Sequence, residues 1–159
     1  MALLHRVLLE VFADYHQFYL ADGAFAWLAP EEWSDQDLQN GAKVSEHLVV
    51  VCPARSASVP VEVAVSSRQP QLELGAYDHV VECSLSLPSG YLQLHECTGP
   101  ERLHLSVEPG NYRVRALFAS LASIDEDGLE GDDTYLVQLW PDDRQDLKVL
   151  KQWQGEWRG

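Results

Sequence analysis

Apolar and polar residues alternate over long stretches of the chain, the period-two pattern of strands buried on one face. Val59, Val61, Val63 and Val65 fall on one face, with Pro60, Glu62, Ala64 and Ser66 on the other. Tyr77, His79, Val81, Cys83, Leu85 and Leu87 alternate with Asp78, Val80, Glu82, Ser84 and Ser86. Pro88-Ser89-Gly90 then turns the chain into residues 91–95, where Leu92 and Leu94 are predicted to face inward. Leu103, Leu105 and Val107 alternate with Arg102, His104, Ser106 and Glu108. Pro109-Gly110 predicts a tight turn, because proline fixes φ and glycine admits positive φ. Tyr112, Val114, Ala116 and Phe118 follow, opposite Arg113 and Arg115, and Tyr135, Val137 and Leu139 complete the series before Pro141.

The first half is less regular. Val44 with Leu48, Val49, Val50 and Val51 reads as one buried strand ending at Pro53. Residues 3–12 fit either period, but their Val, Leu and Phe content and the apolar run at 15–20 predict two strands. Ser34 begins a short helical turn: it can cap, Asp37 three residues on can answer it, and Gly41 stops it. Residues 147–158 read as a short helix or as a tail packed through Trp153 and Trp157. The pattern therefore predicts an all-β fold, a mostly antiparallel β-sandwich of about eight or nine strands with one short helical turn. No helices alternate with the strands, which argues against a parallel α/β sheet. Residues 1–159 are expected to form one domain.

Charge narrows the partners. The chain carries 25 acidic and 11 basic side chains, a net charge of −14. Such a surface repels nucleic-acid phosphates and anionic membranes, so neither is an expected partner. It leaves basic partners, cations and solubility. The excess is uneven, since residues 121–159 hold ten acidic and four basic side chains. The three cysteines, Cys52, Cys83 and Cys97, fit neither a disulfide framework nor a CxxC metal site. They point to a reducing compartment, with the thiols acting as small apolar groups. Arg6 and Glu10 interrupt the apolar N-terminal run, unlike a signal peptide, and no run reaches spanning length. A cytoplasmic location is the expectation.

The sharpest local feature is the run Asp125-Glu126-Asp127-Gly128-Leu129-Glu130-Gly131-Asp132-Asp133. Carboxylates clustered around glycines suit Ca²⁺, but setting Gly128 at the invariant glycine of an EF-hand puts Ser123 and Thr134 at the two end ligand positions. That register favours a solvated, self-repelling loop over a calcium site. A third reading has Asp125, Glu126, Asp127, Glu130, Asp132 and Asp133 presenting negative charge to a basic partner. The six histidines form no HxH or HExxH pair, although His95 and His104 on neighbouring strands, with Cys97, would be a minimal zinc candidate. Trp27, Trp33 and Trp140 would stack on sugars if exposed, and anchor the core margin if not. Arg113 and Arg115 are expected to pair across strands with Glu108, Glu101 or the acidic loop, worth little if exposed. Nucleophile-elbow, GxGxxG and P-loop motifs are missing, so no catalytic residue, metal or cofactor is assigned.

Several segments together carry a resemblance: Gln17-Phe18-Tyr19-Leu20, the Trp33-Ser34-Asp35-Gln36-Asp37 turn leading to Gly41, and Leu105-Ser106-Val107-Glu108-Pro109-Gly110-Asn111-Tyr112-Arg113-Val114. In this order they resemble the bacterial competence protein J family, small β-rich inhibitors of a competence-associated nuclease. The late segment from Tyr135 to Pro141 also looks like that of related uncharacterised bacterial β domains. The resemblance spans about residues 15–141 and implies a non-enzymatic inhibitor of a nuclease. An acidic chain could then fill a basic phosphate groove, and the same physics would serve an immunity-like protein. The expected function is a non-enzymatic acidic protein that binds a basic protein partner such as a nuclease or toxin. A sugar- or calcium-binding sandwich is the alternative.

Overall fold

The alternating segments form eleven strands in two sheets in a computed structural model that describes residues 2–24, 26–45 and 47–157. One sheet has six strands, in the order β1 (Leu3–Phe12), β5 (Ser58–Ser66), β10 (Thr134–Pro141), β9 (Gly110–Ala119), β6 (His79–Leu87) and β11 (Lys148–Lys151). The other has five, in the order β3 (Ala42–Ser45), β4 (Leu48–Val51), β2 (Phe18–Asp22), β7 (Tyr91–Glu96) and β8 (Glu101–Ser106). Neighbours run antiparallel except β5 and β10, which are parallel. No hairpin can join a parallel pair, and the chain builds strands β6 to β9 between them.

The mostly antiparallel sandwich is as the pattern predicts, with more strands. The single strand expected around Val44–Val51 is two, β3 and β4, paired antiparallel. His47 between them is left-handed, with φ of 60°, and no glycine or proline marks the reversal. Residues 14–16 form a turn with Tyr15 and His16 both left-handed, so β2 starts at Phe18 rather than at Tyr15. The segment expected as a helix or packed tail begins as β11, paired with β6, and only then lays Trp153 and Trp157 on the core. Arg158 lies outside the described residues. The short helix α1 (Asp35–Asn40) has the expected box, each partner's backbone N–H donating to the other's side chain at 3.0 Å. Gly41 ends it at φ of 72°, where a Cβ would lie 3.0 Å from His79 Nε2.

Val59, Val61, Val63 and Val65 all face the core between the sheets, at no more than 2% exposure. Each such valine contributes about 1.5–3 kcal/mol of apolar burial. The outer faces are partly covered as well. On the five-stranded sheet, Tyr19, Ala21, Leu48 and Val50 lie under Trp27 and Trp33.

On the outer face of the six-stranded sheet Arg113 and Arg115 pair across strands as expected, but out of water and with a different partner. Both are buried, and they share one carboxylate: Arg115 Nε lies 2.8 Å from Glu82 Oε2, and Arg113 Nε 3.4 Å from Glu82 Oε1. Nη1 and Nη2 of Arg113 and Nη1 of Arg115 donate to Ser84, Gln138 and the carbonyls of Pro70, Gln145 and Asp146. Arg115 also stacks over Trp140, 4.7 Å from the ring centroid, so that tryptophan is buried rather than open to a sugar. The connections that supply those carbonyls cover this face, and the partner is Glu82 on the adjacent strand, not Glu108, Glu101 or the acidic loop.

His79 ties the C-terminal segment to α1. Its Nε2 donates to Asn40 O at 2.7 Å, and its Nδ1 accepts from Trp153 N at 3.1 Å. Burial holds its pKa below the usual 6.5. A proton on Nδ1 would remove the acceptor for Trp153 N–H and place a charge in the core. The unfolded chain takes up that proton near its unshifted pKa and the native state only at lower pH, so stability should fall as pH drops below about 6.5. Denaturant midpoints measured down to about pH 5 check this, and His79→Gln, although less stable at neutral pH, should show a shallower pH slope.

Candidate functional site

Strand register brings several connections to one end of the sandwich. Phe18 sits opposite Val51, Phe12 opposite Ser58 and Thr134 opposite Ala119, so the turn at 13–17, the segment at 52–57 and the acidic loop meet there beside α1.

The acidic loop is held by its own backbone. Asp125 N donates to Glu130 O at 2.9 Å, and Gly128 N, at a residue with φ of 71°, donates to Asp125 O at 3.0 Å. Asp125 Oδ1 accepts from Leu129 N at 3.0 Å and Glu130 N at 3.3 Å. Asp132 N donates to Ser123 Oγ at 2.7 Å. Of the loop's carboxylates only Asp125 is used in this closure, and Asp125, Glu126, Asp127, Glu130 and Asp132 are exposed.

Asp133 is different. It is 1% exposed, and it is withdrawn from the group expected to face a partner. Arg55 Nε lies 2.8 Å from its Oδ1, and Tyr135 OH donates to its Oδ2 at 2.5 Å. The same Tyr135 oxygen accepts from Ala54 N at 2.9 Å, and Arg55 Nη1 donates to Leu129 O at 2.9 Å. Burial and the Asp133 charge push the Tyr135 hydroxyl pKa upward, so it stays a donor. Asp133 thus roots the loop in the 52–57 segment. Arg55 and Asp133 are 78 positions apart, and no local pattern in the sequence signals the pair.

An apolar cleft of about 550 Å³ opens beside this root, walled by Tyr15, Trp33, Leu38, Pro53 and Trp157 among others. Ala54 lines it while its neighbour Arg55 borders the acidic loop, so the two features share one short segment. Burial pushes the Cys52 thiol up to about 12, which makes it a neutral wall of the cleft. Tyr15 is 68% exposed although its backbone is left-handed; its N–H is held by Asp14 Oδ1 at 3.1 Å and Ser56 Oγ at 3.0 Å. Left-handed backbone costs a non-glycine residue about 1–2 kcal/mol, so these bonds keep the ring displayed against a local preference.

The other candidates resolve into ordinary contacts. His95 Nε2 donates to Gln93 Oε1 at 2.8 Å, and Gln93 Nε2 donates to His104 Nδ1 at 3.0 Å, so the histidines share a glutamine. Cys97 accepts from Tyr19 OH at 3.2 Å. Trp27 lies between the rings of Tyr19 and His95, at centroid distances of 5.3 and 5.2 Å. Among the described residues no group of three or more His, Cys, Asp or Glu side chains is arranged to hold a metal ion. Among them, too, no helix is long and apolar enough to cross a membrane.

No protein-family model and no curated protein matches the chain. Among solved structures it is similar to ComJ of Bacillus subtilis, an inhibitor of the DNA-degrading activity of NucA. That match has a TM-score of 0.66 and 14% identity, and it covers 88% of this chain and 97% of ComJ. The chain is also similar to the protein of crocagin biosynthetic gene J, with a TM-score of 0.58 and 21% identity over 90% of this chain and all of the other. The resemblance to the competence protein J family is thereby shown at the level of the fold.

Proposed function

We propose that the chain is a non-enzymatic binding protein whose loop end engages a basic protein, in the manner of a nuclease inhibitor. The observation that carries this reading is the rooted loop: five exposed carboxylates on a closed backbone, beside an apolar cleft. Charged rims steer encounter and select partners, while a desolvated apolar pocket supplies most of the affinity. A nuclease groove built for phosphates is the complementary surface for such a rim. The inhibition of a nuclease by ComJ, which shares the fold, supports this kind of partner.

The test is affinity capture from a native lysate at low and high salt, followed by a nuclease assay on the captured protein. A basic nuclease that elutes with salt and is inhibited by the chain is the expected result. Glu126→Gln, Asp127→Asn, Glu130→Gln and Asp132→Asn together spare Asp125, which ties the loop. This variant should slow association at low salt by about 10-fold or more. An unchanged association rate, or capture of no basic protein, would overturn the reading.

A further inference from the structure

Strand β1 is the edge of the six-stranded sheet, and no strand of the described residues lies on its outer side. Ten residues of open edge are a template for another strand, and soluble proteins commonly blunt such edges. Here the blunting is confined to the ends: the register shifts between Leu3 and His5, and Phe12 N donates to Glu96 Oε2 at 2.8 Å. Between them the outward positions read Arg6, Leu8 and Glu10, with Leu8 66% exposed. Inward, His5 Nε2 bonds Ser106 O of β8 at 3.0 Å and Val11 is buried, so the faces of the strand are settled.

A second copy of this chain fits that edge. When a strand pairs antiparallel with its own copy about a two-fold axis, outward residues meet outward residues only if the two residue numbers of each pair sum to an even value. Centring the pair on Arg6 or Glu10 sets like charges opposite each other. Centring it on Val7 or Leu9 sets charge against apolar side chains. Centring it on Leu8 sets Arg6 against Glu10 twice and Leu8 against Leu8, all within the unblunted stretch. We propose that β1 pairs with β1 of a second copy in this register, joining two six-stranded sheets into one. Arg6 already reaches Glu62 of its own chain at 3.0 Å, and the pairing places it between that carboxylate and the second copy's Glu10.

Sedimentation velocity on the full chain tests the proposal. The wild type should show a concentration-dependent dimer. Arg6→Glu alone places two carboxylates opposite each other, and Glu10→Arg alone places two cations, so each should raise the dimer dissociation constant about tenfold or more. Mixing the two variants sets an acid against a base at both of these cross-strand pairs, and should restore a heterodimer; that recovery also shows that both variants are folded. A wild type that stays monomeric at its highest soluble concentration would overturn the proposal. So would a dimer indifferent to both variants, or a mixture that fails to associate.

Discussion

Glu82→Gln is expected to destabilise the fold by about 3–5 kcal/mol, the cost of leaving buried charge without its partner. Glu82 is the carboxylate shared by two buried arginines, and the other hydrogen bonds described for them go to neutral oxygens. The substitution keeps the shape of the side chain and removes its charge, so two guanidiniums remain out of water with no anion. Urea denaturation at neutral pH checks this, and a loss under about 1 kcal/mol would refute it. Glu62→Gln is the internal comparison, because the Arg6–Glu62 pair is exposed and should be worth about 1 kcal/mol or less. Replacing Glu82, Arg113 and Arg115 together by apolar residues should recover part of the loss, since the desolvation penalty leaves with the charges.

Asp133→Asn is the second large effect, again about 3–5 kcal/mol if Arg55 stays buried without its counter-ion. It differs from Glu82→Gln in where the damage goes. Asp133 joins Arg55 and Tyr135, and through them the Leu129 carbonyl and the Ala54 amide, so its loss should free the acidic loop from its root. Amide hydrogen exchange at residues 128–132 should rise more than at the strand centres, and binding of a basic partner should weaken with it. Glu82→Gln should leave exchange in that loop close to wild type at equal distance from its own unfolding midpoint. If both variants relax the loop alike, Asp133 is not its anchor.

How much of this was legible in the chain depends on how local each feature is. The faces of β5, β6, β9 and β10 follow from period-two alternation, and the inward valines of β5 are where that period puts them. The box at Ser34 and Asp37 is a contact between residues three apart, and it formed as read. The turns at Tyr15, His16 and His47 were hidden, because each uses a left-handed residue other than glycine. The acidic run was visible as composition, but its division into five displayed carboxylates and one buried anchor was not. Asp133 looks like its neighbours until Arg55 is brought to it.

Alternation and capping are short-range, so the sequence by itself determined the strands of regular period, which way their side chains point, and the charge the surface must carry. Alternation says that Arg113 and Arg115 share a face but not what covers that face. The answer lies in Glu82 on the adjacent strand and in the connections carrying Pro70, Gln145 and Asp146. The rooted loop, the cleft beside it and the open edge at β1 are likewise products of strand order. Only the tertiary structure decided them, because a charge is free or spent according to what the fold lays against it, and that is set by residues far away in the chain.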